Sequence, residues 1–557
     1  MDFTSATPTP GAIDGAAHAC DVLVVGGGIN GAGIARDLAG RGLAVILVEK
    51  DDLASHTSSA STKLIHGGLR YLEQFEFALV RKSLAEREVL LKCAPHIMRP
   101  LRFVMPHNPG MRAAWMIRAG LFLYDHLAHR DVLPGSSGID LRTHPAGRAL
   151  KPEFTRGFVY SDGWVDDARL VVLNALDAAA RGATVLTRWA CTDARRDAGR
   201  WRIELRSSAD QVMQVNARAL VNATGPWAAQ FLTEQVHLPR LKSLRLVKGS
   251  HIVVPRIFEH EHAYIFQNPD KRIIFAIPYE GRFTLIGTTD VEHFGDIGHA
   301  RIDAAETKYL CEQASRYFER AVAPSDVVWS YSGVRPLLDD EPGEPSAAPS
   351  SVSRDYLLEL DWPPAPADAG PGAAHDHRPG GSARPAPLLT VWGGKITTFR
   401  KLAEEAADLL QAPLAAPRGA WTMSALLPGG ELSAWIGKPL RPDTDFTRFV
   451  QALALRHSDL PSALCLRLAR AYGSRVEALL GQGELGAEVA PGLFEAELDF
   501  LRRTEWARCP EDVLWRRSKL GLHLDAAQHG AVARWCAQHW RESATSAFRR
   551  EEDARPA

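Results

Sequence analysis

Apolar runs separated by small-residue turns characterise the first fifty positions of the chain. An apolar stretch begins at Asp21 and leads into a glycine-rich turn, followed by a helical pattern to about Ala39 and a second apolar stretch at 44–49. A strand, a helix and a second strand of these lengths are typical of a βαβ unit. The pattern therefore predicts an α/β fold that opens with a Rossmann-type unit at Asp21.

Helical and strand patterns alternate along the rest of the chain. Helices are predicted over 79–93 and 167–181, with Asp166 or Asp167 as the N-cap of the second. A long apolar and aromatic pattern with interspersed arginines covers 100–130. Strands are predicted at 201–205, 219–222, 251–255, 273–278 and 283–288. The last three strands predict a substrate-side sheet inserted between parts of a nucleotide-binding domain.

Size and composition exclude several classes of protein. With 557 residues, of which 46% are hydrophobic and 24% charged, the chain can fill two or three globular domains. A formal net charge of -1 provides no field that would attract nucleic acid. The seven cysteines are scattered without a C-x-x-C pair, which predicts reduced thiols rather than a disulfide framework or a metal site. Since no apolar run approaches the roughly 20 residues that span a bilayer, any membrane contact is expected to be peripheral.

The glycine-rich turn has the spacing of a dinucleotide-binding fingerprint. Gly26, Gly28 and Gly31 form the pattern G-x-G-x-x-G just before a predicted helix. The first glycine permits the tight turn, the second lets the backbone approach a pyrophosphate, and the third lets helix and strand pack closely. The helix N-terminus then favours phosphate through its N–H groups and dipole. Glu49 ends the second strand, where its carboxylate can accept hydrogen bonds from a ribose.

The same fingerprint serves NAD and FAD, and three later segments favour FAD. The hydroxyl-rich loop at 57–63 can bond an isoalloxazine edge, and the small-residue turn at 222–227 can pass close to the nucleotide. The turn at 392–398 places two glycines before a helix whose N-terminus can face the flavin. Each segment alone is equally well an ordinary turn, but remote segments that return to the ligand suit the longer FAD. Beside the three glycines and Glu49, the expected FAD contacts of these segments are Ile29, Asn30, Thr57, Ser58, Ser59, Ser61, Lys63, Thr224, Gly225, Gly394, Lys395 and Thr397.

In these motifs the chain resembles the bacterial aerobic FAD-dependent sn-glycerol-3-phosphate dehydrogenases, a family among the D-amino-acid-oxidase-like flavoproteins. The similarity runs from about Asp21 to about Trp540. Its most specific stretches are 26–37, 57–72, 160–170, 221–227, 248–255, 286–291, 331–336 and 393–400. The resemblance implies oxidation of glycerol 3-phosphate to dihydroxyacetone phosphate, with electrons passing through FAD to a membrane quinone. Two features depart from the family pattern: a longer N-terminal tail and an enlarged loop at 361–387.

The resemblance also implies a domain organisation. It consists of a Rossmann-type FAD-binding domain, an inserted mixed-sheet substrate cap and a C-terminal α-helical domain. The expected parts are 20–98, 156–240 and 329–404 for the FAD-binding domain, 99–155 and 241–328 for the cap, and 405–557 for the helical domain. Residues 1–19 are expected to be a disordered tail without a signal peptide. The segment 361–387, rich in Pro, Ala, Gly and Asp, is expected to be a mobile loop.

Oxidation of a secondary alcohol requires a base for the hydroxyl proton. Histidine has a pKa suited to this role, and His251 matches the family position implicated at the active site. Among the chain's twenty histidines, any single one is more commonly a packed or surface residue. His66 is a lesser candidate that can equally pack beside the flavin loop, together with Gly67 and Gly68 as expected cofactor contacts.

The dianionic phosphate requires permanently charged donors. Arg70 and Arg335 each follow a glycine turn that could bring charge to a ligand, and arginine suits phosphate because of its planar fork. Lys395 follows two glycines and could stabilise a developing alkoxide or reduced flavin. Tyr71 either hydrogen-bonds the substrate or packs as a half-buried aromatic.

Two alternative functions stay open at this point. Another amino-acid-oxidase-like flavoenzyme would need a single arginine for its substrate carboxylate, whereas the set of Arg70, Arg335 and Lys395 suits a more highly charged ligand. A flavin-binding sensor would hold the cofactor without turnover, and glycerol 3-phosphate would not reduce its flavin.

A candidate membrane segment lies at 111–124. It combines apolar and aromatic residues with arginines at intervals, as in an interfacial helix, and Trp115 and Tyr124 are types that settle at headgroup level. The same residues could equally pack the helix inside the cap. We expect a cytoplasmic protein peripherally associated with the cytoplasmic membrane. The expected partners are glycerol 3-phosphate, a membrane quinone, the inner membrane and, as an open expectation, a second copy of the chain in a homodimer, but not nucleic acid.

Overall fold

The computed structural model describes residues 18–108, 112–239, 242, 244–270, 272–338, 355–363, 384–481 and 483–540. Its strands are β1 (His18–Val25), β2 (Val45–Glu49), β3 (Leu64–Ile65), β4 (Met98–His107), β5 (Ser137–Asp140), β6 (Arg156–Val165), β7 (Thr184–Thr187), β8 (Trp189–Asp197), β9 (Arg200–Ser207), β10 (Val212–Asn222), β11 (Leu244–Pro255), β12 (Ala263–Gln267), β13 (Ile273–Tyr279), β14 (Phe283–Gly287), β15 (Val291–Glu292), β16 (Trp329–Leu338), β17 (Leu357–Asp361), β18 (Leu388–Trp392), β19 (Glu488–Ala490) and β20 (Leu493–Phe494). Its α-helices are α1 (Ile29–Gly40), α2 (Phe77–Cys93), α3 (Ala114–His126), α4 (Asp167–Ala180), α5 (Ala228–Glu234), α6 (Ala304–Ser315), α7 (Phe399–Leu414), α8 (Ser433–Ile436), α9 (Pro442–Arg456), α10 (Ser462–Tyr472), α11 (Val476–Leu480), α12 (Glu495–Thr504) and α13 (Ala526–His539). The chain forms two units, Met1–Val476 and Glu477–Ala557.

The predicted βαβ unit is confirmed as part of the first sheet, whose order is β17–β18–β10–β1–β2–β7. Strand β1 runs parallel to both of its neighbours, with Val25 opposite Val48 on one side and Asn222 on the other. Strand β18 is also parallel to β10, whereas β17 is antiparallel, and β8 and β9 extend from the first half of β10. Because the carboxyl ends of the parallel strands meet at one edge, the turns that follow β1, β10 and β18 converge there.

Helices cover this sheet, which explains its continuous apolar strands. Every residue of β2 is buried, and α1 packs against both α4 and α7. Strands covered on both faces lose the alternation of apolar and polar residues, as in other α/β proteins. The fold class predicted from the sequence pattern therefore has its physical basis in this layer.

The second sheet contains the strands at 251–255, 273–278 and 283–288 that were predicted to form a substrate-side sheet. Its order is β15–β11–β14–β13–β12–β4–β6–β3, with β16 also paired to β11 and β5 to β6. Strand β11 lies between β14 and β16, so that His251 is opposite both Gly287 and Tyr331, while Val247 is opposite Arg335. The register of three strands thus brings a histidine and an arginine into the same region.

Three features of the organisation differ from the sequence-based description or refine it. Strands β6 and β16 belong to the second sheet, although the predicted boundaries assigned them to the FAD-binding domain, because their partners β4 and β11 are distant in sequence. The pattern at 100–130 resolves into strand β4 and helix α3. The C-terminal region, predicted to be helical throughout, contains the hairpin of β19 and β20. The remaining domain boundaries stay predictions.

The predicted tail and loop lie mostly outside the described residues. Of the tail at 1–19, only His18 and Ala19 are described, and both belong to β1, which therefore begins before Asp21. Of the loop at 361–387, residues 364–383 are outside the description. Its two flanks form the antiparallel pair of β17 and β18, with Leu357 opposite Trp392.

The second unit has a small core of its own. Helices α12 and α13 bury Leu498, Leu501, Val532 and Trp535, and the Trp535 indole donates to Glu495 over 2.9 Å.

Among the helices of the described residues, none combines the length and apolar character needed to cross a membrane.

Candidate functional site

A cavity of about 550 Å³ lies at the carboxyl edge of the first sheet. It is walled by the turns after β1, β10 and β18, by the loop that follows β2 and by β16 of the second sheet. The predicted site residues on its wall are Gly26, Gly28, Ile29, Asn30, Glu49, Thr57, Ser58, Ser61, His66, Tyr71, Thr224, Gly225, Arg335, Gly394, Lys395 and Thr397. Segments more than 300 positions apart in sequence therefore form one cavity.

The glycine turn has no room for side chains. Gly26 adopts a φ of +114°, and a Cβ there would lie 2.5 Å from the Ala223 carbonyl oxygen. A Cβ on Gly31 would lie 1.9 Å from the Gly26 carbonyl oxygen. Helix α1 begins at Ile29 after the extended Gly28, which offers no side-chain cap to the first N–H groups. The Ile29 amide donates to the Ser58 hydroxyl at 2.9 Å, and the N-terminus of the helix on the wall of the cavity fits a pyrophosphate.

Glu49 faces the cavity and also supports the glycine turn. Its carboxylate accepts from the Gly27 amide at 2.6 Å and from the Asp51 amide at 2.9 Å. Burial raises the pKa of Glu49, while these two N–H groups favour its charged form. The carboxylate is thus held at the position expected for a ribose contact.

The cavity also has aromatic walls. Trp189 and Trp227 line it, and the Lys50 ammonium lies 4.1 Å from the centroid of a Trp227 ring. The His56 ring meets Trp227 edge-on at 4.8 Å. Trp227 belongs to a predicted FAD segment, but Trp189 could not be found from its sequence neighbourhood.

Most hydroxyls of the hydroxyl-rich loop form hydrogen bonds with neighbouring parts of the protein. Thr57 donates to the Val334 carbonyl at 2.7 Å, Ser58 accepts from the Ile29 amide at 2.9 Å, and Ser61 donates to Asp167 at 2.7 Å. The loop therefore joins β16, α1 and α4. Its backbone remains on the cavity wall, where the sequence predicted a flavin edge.

Lys63 and Ser59 do not lie on the cavity wall, contrary to their predicted cofactor contacts. The Lys63 ammonium is buried and donates to Asp167 at 2.7 Å and to the Ser59 carbonyl at 3.1 Å. A buried ammonium needs a carboxylate because burial without one costs several kcal/mol (~3–5 when one partner of a buried pair is removed). Asp167, predicted to be a cap, is this carboxylate, whereas Asp166 is the true N-cap and accepts from Arg169 at 3.2 Å.

The segment after β3 contributes two side chains to the cavity. His66 lines it, and its backbone N–H donates to Thr397 at 3.1 Å, which joins two predicted cofactor segments. Tyr71 also lines the cavity. Gly67, Gly68 and Arg70 are absent from its wall; the Gly67 amide donates instead to the Tyr124 hydroxyl at 2.8 Å.

Two cations lie on the wall near this segment. The Lys395 ammonium sits 3.9 Å from the centroid of the Tyr71 ring. The Arg335 guanidinium forms an ion pair with Asp290 and donates to Thr288 at 2.9 Å. A Cβ on Gly249 would lie 2.3 Å from the same guanidinium, so a side chain there would displace it. Asp290 and Thr288 lie in the stretch 286–291, to which no role was assigned from the sequence, and they orient Arg335.

His251 lies behind the wall rather than on it. The residue is 1% exposed, its ring stacks on Tyr331 at 4.8 Å, and a Cβ on Gly287 would lie 2.1 Å from the ring. Its Nε2 is 2.9 Å from the hydroxyl of Thr62, which does line the cavity. Burial, together with the positive charges of Arg335 and Lys63, holds the pKa of His251 well below its usual 6.5. The imidazole is therefore neutral at physiological pH.

The comparisons with known proteins agree with this geometry. The sequence profile of the FAD dependent oxidoreductase family matches residues 21–376. A second profile, described as the C-terminal domain of alpha-glycerophosphate oxidase, matches residues 421–544. The two profiles together cover the predicted cap, the predicted FAD-binding region up to residue 376 and most of the predicted C-terminal helical region.

Curated relatives and a solved structure are similar over almost the whole chain. A glycerol-3-phosphate dehydrogenase from Pseudomonas aeruginosa is 51% identical, covering 92% of this chain and 94% of the relative. A D-erythritol 1-phosphate dehydrogenase from Brucella abortus is 46% identical, covering 93% and 97%. The structure of a glycerol-3-phosphate dehydrogenase from Bacillus halodurans complexed with FAD has a TM-score of 0.71 at 26% identity, covering 96% and 94%. These matches confirm the predicted fold class and FAD as the cofactor.

Proposed function

Because the chain belongs to the family of FAD-dependent oxidoreductases, we propose that it oxidises sn-glycerol 3-phosphate to dihydroxyacetone phosphate and delivers the electrons to a membrane quinone. The observation that carries the proposal is the pair of cations, Arg335 and Lys395, on the wall of the cavity that also exposes Thr62. Curated relatives named glycerol-3-phosphate dehydrogenase support the same substrate.

The side chains divide the work of the proposed reaction. Arg335 and Lys395 hold the phosphate, and Asp290 and Thr288 keep the guanidinium in position before the substrate arrives. His251, neutral and buried, is the base that ends up with the proton of the substrate hydroxyl. FAD, when bound, supplies the acceptor for the hydride. Arg70 remains a further proposed phosphate ligand.

The substrate is the part of the proposal that most needs a direct test, since a relative named for D-erythritol 1-phosphate is almost as similar as those named for glycerol 3-phosphate. We expect glycerol 3-phosphate to bleach the visible FAD absorption of the purified protein under anaerobic conditions. D-erythritol 1-phosphate, glycerol and a panel of amino acids should bleach it more slowly. Faster bleaching by an amino acid would identify an amino-acid oxidase, and no bleaching by any compound would favour a sensor.

Removing the Arg335 charge should weaken binding of the phosphorylated substrate selectively. We expect Arg335→Leu to raise the KM for glycerol 3-phosphate by about 10- to 100-fold, because a charge-assisted bond is lost, while the slow reaction with glycerol changes little. Arg335→Lys should be intermediate. Arg142→Leu is a matched control, since this arginine is exposed and pairs with Asp140 on the surface. Equal losses toward both substrates would mean that Arg335 supports the fold or FAD rather than phosphate.

Peripheral membrane contact is proposed for helix α3. One face is buried through Ile117, Leu121 and Tyr124. The other exposes Trp115 at 72% and Phe122 at 56%. The helix therefore packs one face against the protein and presents apolar side chains on the other, which is the face we propose for membrane contact. Exposed aromatic residues with arginines nearby suit the headgroup region of the cytoplasmic membrane, where a quinone is accessible.

Loss of the exposed aromatic residues should release the protein from lipid. We expect the wild type to sediment with anionic liposomes at low salt and less at high salt, because part of the attraction is screened. Trp115→Ser combined with Phe122→Ser should leave most of the protein in the supernatant. Leu455→Ser on α9 removes a comparably exposed apolar side chain and should sediment normally. Unchanged sedimentation of the double variant would exclude α3 as the anchor.

A further inference from the structure

The hydroxyl of Thr62 stands between the cavity and the buried histidine. Thr62 lines the cavity, whereas His251 is not part of its wall and is 1% exposed. The Oγ1 atom of Thr62 is 2.9 Å from Nε2 of His251. A substrate hydroxyl in the cavity would therefore meet the threonine before the imidazole.

Thr62 is held in this position from both sides. The backbone N–H and hydroxyl of Ser61 donate to Asp167 at 3.2 and 2.7 Å, and the Lys63 ammonium donates to the other oxygen of the same carboxylate at 2.7 Å. The Tyr331 hydroxyl donates to the Ser61 carbonyl at 2.8 Å. One buried carboxylate and one tyrosine thus fix both neighbours of Thr62, and Tyr331 also stacks on His251.

The histidine has one ring nitrogen committed to this contact. Within the described part of the chain, Nδ1 of His251 is buried without a hydrogen-bond partner, so Thr62 is its polar neighbour at Nε2. A buried ring nitrogen without a hydrogen-bond partner is unfavourable for folding, and such groups call for a functional explanation. A neutral imidazole with its proton on Nδ1 accepts from the Thr62 hydroxyl and can receive a proton from it.

We propose that Thr62 relays the substrate proton to His251. The O–H bond of the substrate breaks as its proton moves to Oγ1 of Thr62, while the proton of Thr62 moves to Nε2. Thr62 ends as a neutral hydroxyl and His251 as an imidazolium. The two electrons of the substrate C–H bond leave as hydride, with FAD as the oxidant. The positive charge of Arg335 disfavours an imidazolium at His251. The negative charge of the substrate phosphate, bound by Arg335, offsets this effect. The inference rests on the proposed alcohol oxidation and adds Thr62 to its catalytic residues.

The test compares Thr62→Val, which keeps the shape and removes the hydroxyl, with Thr62→Ser, which keeps the hydroxyl. We expect Thr62→Val to slow FAD reduction by glycerol 3-phosphate about 100-fold in stopped flow, as for loss of a proton-transfer group. Thr62→Ser should stay within about threefold of the wild type by the same reasoning. Both variants should retain FAD, thermal stability and calorimetric binding of glycerol 3-phosphate.

A proton inventory in mixtures of H₂O and D₂O gives a readout that a structural role would not change. Two protons in flight should make the wild-type plot of reduction rate against deuterium fraction curved, and Thr62→Ser should preserve the curvature. A linear wild-type plot, a wild-type rate in Thr62→Val, or equal losses in Val and Ser would each overturn the relay. If glycerol 3-phosphate fails to bleach the wild-type FAD, the proposed substrate is wrong and the relay is withdrawn with it.

Discussion

The Gly31→Ala protein should be purified without FAD. The added Cβ would lie 1.9 Å from the carbonyl oxygen of Gly26 and 3.4 Å from Cβ of Ala223. Because the first of these contacts is with backbone, the turn between β1 and α1 must open to relieve it. That movement displaces the helix N-terminus from the position that suits a pyrophosphate. We expect a colourless protein with no FAD reduction activity and a lower melting temperature.

A second glycine provides the control for this experiment. Gly120 lies inside helix α3, and a Cβ there would have no atom within 4 Å. Gly120→Ala should therefore keep its full complement of FAD, and the better helix propensity of alanine should favour stability slightly. FAD content measured by visible absorption after gel filtration distinguishes the variants. A Gly31→Ala protein as yellow as the wild type would refute the tight-turn account of this position.

Replacement of His251 by alanine should slow FAD reduction by about 10²–10⁴-fold while FAD stays bound. The imidazole is the acceptor at the end of the Thr62 contact, and its removal leaves no base at Nε2. Stopped-flow reduction by glycerol 3-phosphate measures the effect. His260→Ala is the matched control: its ring also has a lowered pKa, about 4, but bonds Tyr264 away from the cavity. A wild-type rate in His251→Ala would remove this histidine from the mechanism.

The low pKa of His251 adds two pH-dependent consequences. In the free enzyme the lowered pKa keeps the His251 imidazole neutral at pH 6.5. The value of kcat/KM should therefore not fall through protonation of His251 as the pH is lowered to 6.5. In the unfolded chain His251 takes up a proton near pH 6.5, whereas in the folded protein it does so only at a lower pH. The free energy of unfolding should therefore fall as the pH drops below 6.5, and His251→Ala should lose less stability over this window.

Local spacing alone determined the nucleotide end of the site. Gly26, Gly28, Gly31 and Glu49 all lie within one βαβ unit, whose geometry follows from strand and helix lengths. Apolar strands and small-residue turns also predicted the return of the segments at 222–227 and 392–398, which reach the cavity that Gly26, Gly28 and Glu49 line. Such features are predictable because neighbouring residues in sequence create them.

Only the tertiary structure decided which charged and polar groups face that cavity. Lys63 belongs to the same hydroxyl-rich loop as Thr62, yet its ammonium turns to Asp167, since a buried charge requires an opposite charge nearby. The pairing of β11 with β14 and β16 places His251 behind Thr62 and brings Arg335 close to Asp290. Strand register and the neutralisation of buried charge depend on residues distant in sequence. The sequence by itself therefore determined the fold class and the glycine turn after β1, and the long-range packing decided the positions on which the proposed proton path and the proposed phosphate contacts rest.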